Sequence, residues 1–175
     1  MVTRIGDAIG GALVMAAVST VGDFLWANWL PHRRPIYGFA HGLVLLLCVG
    51  LYLGVLSRKA AICGAAGALI GVLATGGFYL FQPLLGYSGL FVFWIGLWVA
   101  LGLLNGRVLQ GRGNIRGELI RSGLAAVGSG IAFYAISGIW FPFNPRGWDY
   151  AVHFAYWTVA YLPGFAALLV MRRST

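Results

Sequence analysis

The sequence predicts an all-α polytopic membrane protein, a compact bundle of six transmembrane helices forming one domain over residues 1–175. Three observations carry that expectation. Of the 175 residues, 60% are hydrophobic and only 9% charged, against about 25% charged in an ordinary soluble domain. The apolar residues fall into six runs, each long enough to cross ~30 Å of hydrocarbon as a helix of about 20 residues. The runs show no strand-like alternation and are rich in glycine, 27 in the chain, which argues against a barrel.

The first run is Ile9–Leu30. Arg4 followed by small and apolar residues resembles a signal peptide, but Asp7 interrupts the charged region and the run continues too far, toward Trp26. A retained first span is therefore expected. The second run, Ile36–Leu56, places Gly38, Gly42, Gly50 and Gly54 at multiples of four, on one slowly drifting stripe. The third, Ala60–Phe81, carries Gly64, Gly67 and Gly71, and the fourth, Leu90–Leu109, carries Gly102 and Gly106. In lipid, small residues at this spacing let helix backbones approach closely, so the stripes predict packing faces within the bundle, with homodimerisation the other use. The fifth run is Leu119–Phe141 and the sixth Tyr150–Met171, where Pro163 and Gly164 predict a kink.

The formal net charge of +8 is placed between and beyond these runs, so bilayer orientation accounts for it and no nucleic-acid partner is expected. Of the 12 basic residues, nine (Arg4, Arg58, Lys59, Arg107, Arg112, Arg116, Arg121, Arg172 and Arg173) fall on one side and three (Arg33, Arg34 and Arg146) on the other. Short loops rich in Lys and Arg stay in the cytoplasm, so both termini are expected there, with Gln110–Gly117 a basic cytoplasmic loop. Trp26, Trp29, Tyr37, Tyr79, Tyr87, Trp140 and Trp148 then form an outer interfacial belt, while Trp94, Trp98 and Trp157 lie deeper. Cys48 and Cys63 are isolated in apolar runs, without the spacing of a zinc site or a disulfide framework.

Polar chemistry gathers in the outer half. Asp23 and His41 lie inside apolar runs on either side of a Pro-His-Arg-Arg-Pro turn, and His153 sits just inside the sixth run. Ionisable groups in hydrocarbon usually face a protein interior or a wet cavity, so these mark a candidate site, together with Trp26, Asn28 and Trp157. Its simplest use is a buried hydrogen-bond network that fixes helix order. A pocket for a lipid headgroup fits the aromatic rim, while a two-histidine, one-carboxylate metal centre, a bis-histidine haem or a proton path remain chemical alternatives. On the cytoplasmic side only Asp7 and Asn105 are expected near the hydrocarbon boundary. Nucleophile-elbow, zincin and phosphate-loop motifs are absent, and Glu118 and Asp149 fall on opposite faces, so no catalytic residue, metal or cofactor other than bound lipid is expected.

Several short motifs in order resemble the Insig family of sterol-sensing membrane proteins: Asp23 followed by Pro31-His32-Arg33, Gly96-Leu97-Trp98 before a basic loop, Ser137-Gly138-Ile139-Trp140, and Leu162-Pro163. The resemblance implies six spans around a membrane-open cavity for a sterol- or diacylglycerol-like lipid. At the position similar to that family's partner-binding aspartate this chain has Asn105, so engagement of a sterol-regulatory partner lacks its carboxylate. The expected function is a lipid-binding membrane protein, a sensor or regulator. The alternatives are an accessory structural subunit of a larger membrane complex and, third, a small transporter; the partners expected are membrane lipid and either a homo-oligomer or a larger membrane complex.

Overall fold

The structure, a computed structural model, describes residues 2–29, 35–86, 89–110, 114–137 and 145–170. Six helices run in order: α1 (Val2–Asn28), α2 (Pro35–Ser57), α3 (Ala60–Leu85), α4 (Gly89–Gln110), α5 (Ile115–Ser137) and α6 (Asp149–Phe165), the last continuing as a π-helical turn over Ala166–Val170. No strand occurs among the described residues. Each expected run falls on a helix, with Leu30, residues 138–141 and Met171 outside the described set. By length and apolar composition α1, α2, α3, α4 and α6 qualify to cross a membrane, which is the build of a multi-pass integral membrane protein. The exception is α5, whose opening turns carry Arg116, Glu118 and Arg121.

Several helix ends reach further than the apolar runs, because backbone hydrogen bonding continues past the point where side chains turn polar. Thus α1 begins at Val2 rather than near Ile9, and α3 continues through Pro83 to Leu85. The expected loop Gln110–Gly117 is shortened from both sides, since α4 includes Gln110 and α5 starts at Ile115; residues 111–113 lie outside the described set. Inside the bundle, Thr20 and Thr158 donate to the carbonyls of Ala16 and Phe154, each at 2.8 Å, so their hydroxyls reach the hydrocarbon already bonded.

The closest helix contact joins α2 to α3. Only Arg58 and Lys59 separate them, with Arg58 in the left-handed region at φ 57°, and the Lys59 amide donates to the Gly54 carbonyl at 2.8 Å to close α2. Above that turn the glycines meet backbone directly. A methyl at Gly50 would run into the Cys63 carbonyl, one at Gly67 into the Leu46 carbonyl, and one at Gly71 into the Gly42 carbonyl. The stripe is therefore an intramolecular packing face. It also decides what α2 does not do: its face lies along α3, while α1 packs mainly on α6, and α1 and α2 touch little. The first two helices therefore flank a gap instead of packing along their length. A short connection brings their ends together, but packing chose other partners.

The core is shared by α1, α4, α5 and α6, with Leu45, Leu46, Val49 and Leu53 of α2 joining it. Met15, Trp98 and Phe165 are wholly buried, and the deep tryptophans pack rather than line a pocket. Trp94 stacks on Phe133 at 4.8 Å, Phe133 on Trp157 at 5.5 Å, and Trp157 on Tyr161 at 5.7 Å, one aromatic row crossing three helices. At Gly164 α6 comes up flush against the Trp98 ring, which any side chain there would displace. Pro163 stays within α6, and the Ala166 amide is shared between the carbonyls of Leu162 and Pro163 as the helix widens into its π turn. Of the interfacial belt, Trp29 and Trp148 are 74% and 89% exposed, whereas Tyr87 and Trp140 lie outside the described residues.

The backbone contact predicts a contrast between two glycines. Gly50→Ala should lower stability by about 1–3 kcal/mol, because the atom it strikes is backbone and cannot rotate away. Gly96→Ala, with nothing within 4 Å, should be neutral or stabilising by up to about 1 kcal/mol. Thermal melting in detergent measures both, and equal melting temperatures would remove the glycine contact as the cause of the α2–α3 arrangement.

Candidate functional site

The site is built at the end of the bundle where α1 finishes and α6 begins. Asp23, in the last turns of α1, points to α6. Its Oδ2 accepts from His153 Nδ1 at 2.8 Å and from Trp157 Nε1–H at 2.7 Å. His153 and Trp157 are four apart, so they share one helix face and present two donors to one oxygen. The Asp23 side chain keeps 22% exposure while that of His153 keeps 3%, so the carboxylate stands at the edge of the core with its two donors behind it. Two further bonds hold the same pair of helices. Ser19 and Tyr161 hydroxyls meet at 3.0 Å below it, and Asn28 Nδ2 donates to the Tyr150 hydroxyl at 2.9 Å above it.

His41 belongs to α2 and faces Asp23 across a gap rather than bonding to it. Its ring lies against bare backbone at Gly22, where a Cβ would come within 2.7 Å of Cε1. Asp23, Trp26, Gly38 and His41 together line a cavity of about 260 Å³. The structure thus divides the six expected site residues by position. Asp23, Trp26 and His41 line the cavity, His153 and Trp157 hold the carboxylate from behind, and Asn28 ties α1 to Tyr150. Asp23 meets one histidine, not two, and no group of three or more His, Cys, Asp or Glu converges among the described residues.

Below this cavity the sparse contact of α1 with α2 leaves an apolar groove of about 530 Å³, within the usual range of ligand sites. Ala17, Val21 and Leu25 form one wall, and Tyr37, Val44 and Cys48 the other. From Tyr37 to Cys48 it follows α2 for roughly 16 Å at 1.5 Å per residue. His41 lines both spaces, so the cavity bearing Asp23 and the apolar groove adjoin at its ring. Neither the groove nor the roles of Gly22 and Gly38 were foreseen from sequence, because a gap between neighbouring helices depends on how each packs elsewhere.

Comparison with known protein families, curated proteins and solved structures gives no match. The likeness to the Insig family therefore rests on its short motifs, of which residues 31–33 and 138–140 lie outside the described set.

The two donors on Asp23 predict a coupled response. Asp23→Ala should cost about 2–5 kcal/mol, since each buried donor left without an acceptor costs about 1–3 kcal/mol. Trp157→Phe removes one of those donors, so the double variant should fall short of the summed losses by about 0.5–3 kcal/mol. Strict additivity in detergent melting curves would show that the Trp157–Asp23 bond carries no weight.

Proposed function

We propose that this is a lipid-binding, six-span integral membrane protein that takes one amphiphile between α1 and α2. What supports the reading is that His41 lines both an apolar groove and a cavity bearing a carboxylate. A ligand seated there places its chain against Ala17, Val21 and Val44, and its head beside Asp23, Trp26 and His41. Asp23 already accepts two hydrogen bonds at Oδ2, which fixes the carboxylate and leaves its remaining acceptor capacity for a hydroxyl donor. His41 adds ring nitrogens that either donate or accept. A small head with a hydroxyl, of the sterol or diacylglycerol kind, suits this chemistry better than a phosphate, which the carboxylate would repel. The groove lies between helices that face hydrocarbon, so the ligand enters sideways from the bilayer.

Photoactivatable sterol and photoactivatable diacylglycerol, presented to the protein in lipid nanodiscs, test this reading. At least one should label peptides of α1 or α2. Ala17→Trp fills the groove from an exposed position and should weaken labelling about tenfold, a loss of about 1.4 kcal/mol, while the protein stays folded. Labelling confined to other helices, or unchanged by Ala17→Trp, would overturn the assignment.

We further propose that both termini face the cytoplasm, as the nine-to-three basic asymmetry implies, which places the cavity in the outer half of the membrane. Tyr87→Cys should react with an impermeant thiol reagent from outside and Gly113→Cys only from inside. Reaction of both from one face would refute the topology.

A further inference from the structure

His41 borders the groove and the cavity alike, so an amphiphile that fills both has to touch its ring. The place of that ring is set by α1. A Cβ built on Gly22 would come within 2.7 Å of Cε1 and 3.0 Å of Nδ1, so the Cε1–Nδ1 edge lies against bare backbone. The next residue along α1 is Asp23, whose side chain enters the same cavity. A carboxylate from α1 and an imidazole from α2 thus face one space.

The two groups ask for opposite things of an occupant. Both donors to Asp23 reach Oδ2, at 2.8 and 2.7 Å, which fixes the carboxylate. A carboxylate oxygen accepts only, whereas a neutral imidazole carries one donor and one acceptor nitrogen. Trp26, on the same cavity, adds an indole N–H, again a donor. Asn28 is already spent, its Nδ2 donating to the Phe24 carbonyl at 2.8 Å and to the Tyr150 hydroxyl at 2.9 Å. A ligand oxygen seated between Asp23 and His41 must therefore donate to the first while it accepts from the second. A hydroxyl does both. A ketone, ether or ester oxygen can only accept, and it sets its lone pairs against the carboxylate.

We infer that Asp23 and His41 form an alcohol-selective head-group subsite, in which His41 is the specificity-determining residue and Gly22 positions its ring. The inference rests on the α1–α2 groove being a lipid site and adds which lipids it takes: free alcohols, in preference to the same molecules oxidised, methylated or acylated at that oxygen. Gly22 acts through His41, because any side chain at position 22 would drive the ring away from its seat beside Asp23.

Competition between matched lipids for the photoactivatable label, in nanodiscs, tests the subsite. Cholesterol is compared with its methyl ether against the sterol label, and dioleoylglycerol with its acetyl ester against the diacylglycerol label. For the label that is taken up, the alcohol should compete about tenfold better, the loss expected for one unpaired hydrogen-bonding group at a site only partly closed to water. His41→Phe and Gly22→Ala should each reduce that ratio, His41→Phe to about twofold. The ratio is internal to each variant, so a change in overall labelling leaves it readable. Equal competition by alcohol and ether or ester in the wild type, with α1 or α2 still labelled, overturns the subsite and leaves the groove reading standing. An undiminished ratio in both variants overturns the role of His41. A wild-type protein that takes up neither label overturns the groove reading, and the subsite falls with it.

Discussion

The arrangement depends on the contact of backbone with backbone between α2 and α3. Gly50 on α2 and Gly67 and Gly71 on α3 let the two helices approach until carbonyl oxygens stand where side chains would otherwise be. In lipid, where apolar exposure drives nothing, closeness of packing is the main source of attraction. Once α2 has committed its bare face to α3, it has only bulkier residues to offer α1. The first helix finds its surface on α6 instead, and the gap left between α1 and α2 becomes the groove. A feature that reads as structural thereby sets the position of the candidate site.

The two ends of the bundle solve the problem of buried polarity in different ways. Around Asp23, an acceptor, two donors on one face of α6 and an adjoining cavity are brought together, so the carboxylate is both bonded and approachable. Around Glu118, packing is close and acceptors predominate. Ser129 shows the more usual pattern between the same helices, its hydroxyl accepting from Trp94 Nε1 at 3.2 Å and donating to the Ala160 carbonyl at 2.6 Å. Against that well-satisfied neighbour, the Glu118 carboxyl oxygens accept no hydrogen bond from the described residues.

Much of the fold was legible in the sequence because its causes are local. Run length and composition located the six helices, spacing of four picked out the glycine face, and Pro163 marked the segment where α6 widens. The helix partners were less legible. Asp23 and His41 were read as members of one candidate site and do line one cavity, yet the hydrogen bonds of Asp23 go to His153 and Trp157 of α6. Nothing in residues 23–41 states that α2 has a better partner in α3. Glu118 was missed for a different reason. The fifth apolar run begins at Leu119, which put the carboxylate outside the membrane segment, whereas the helix itself begins at Ile115 and turns Glu118 inward. The π turn after Pro163 has no sequence signature beyond the proline.

The pairing of the first helix with the last has a consequence for how the chain is made. Asp23 lies 130 residues before His153 and 134 before Trp157, and Ser19 lies 142 before Tyr161. At about 5–20 residues per second, the ribosome needs roughly 7–26 s after adding Asp23 before its first donor exists. Throughout that interval the newborn α1 carries a carboxylate and a hydroxyl on the face that will later be buried, with no protein partner for either. The α2–α3 hairpin has no such wait, since a turn of two residues joins its halves as soon as they emerge. The contacts that close α1 onto α6 thus join the two ends of the chain, whereas those of the α2–α3 hairpin are local.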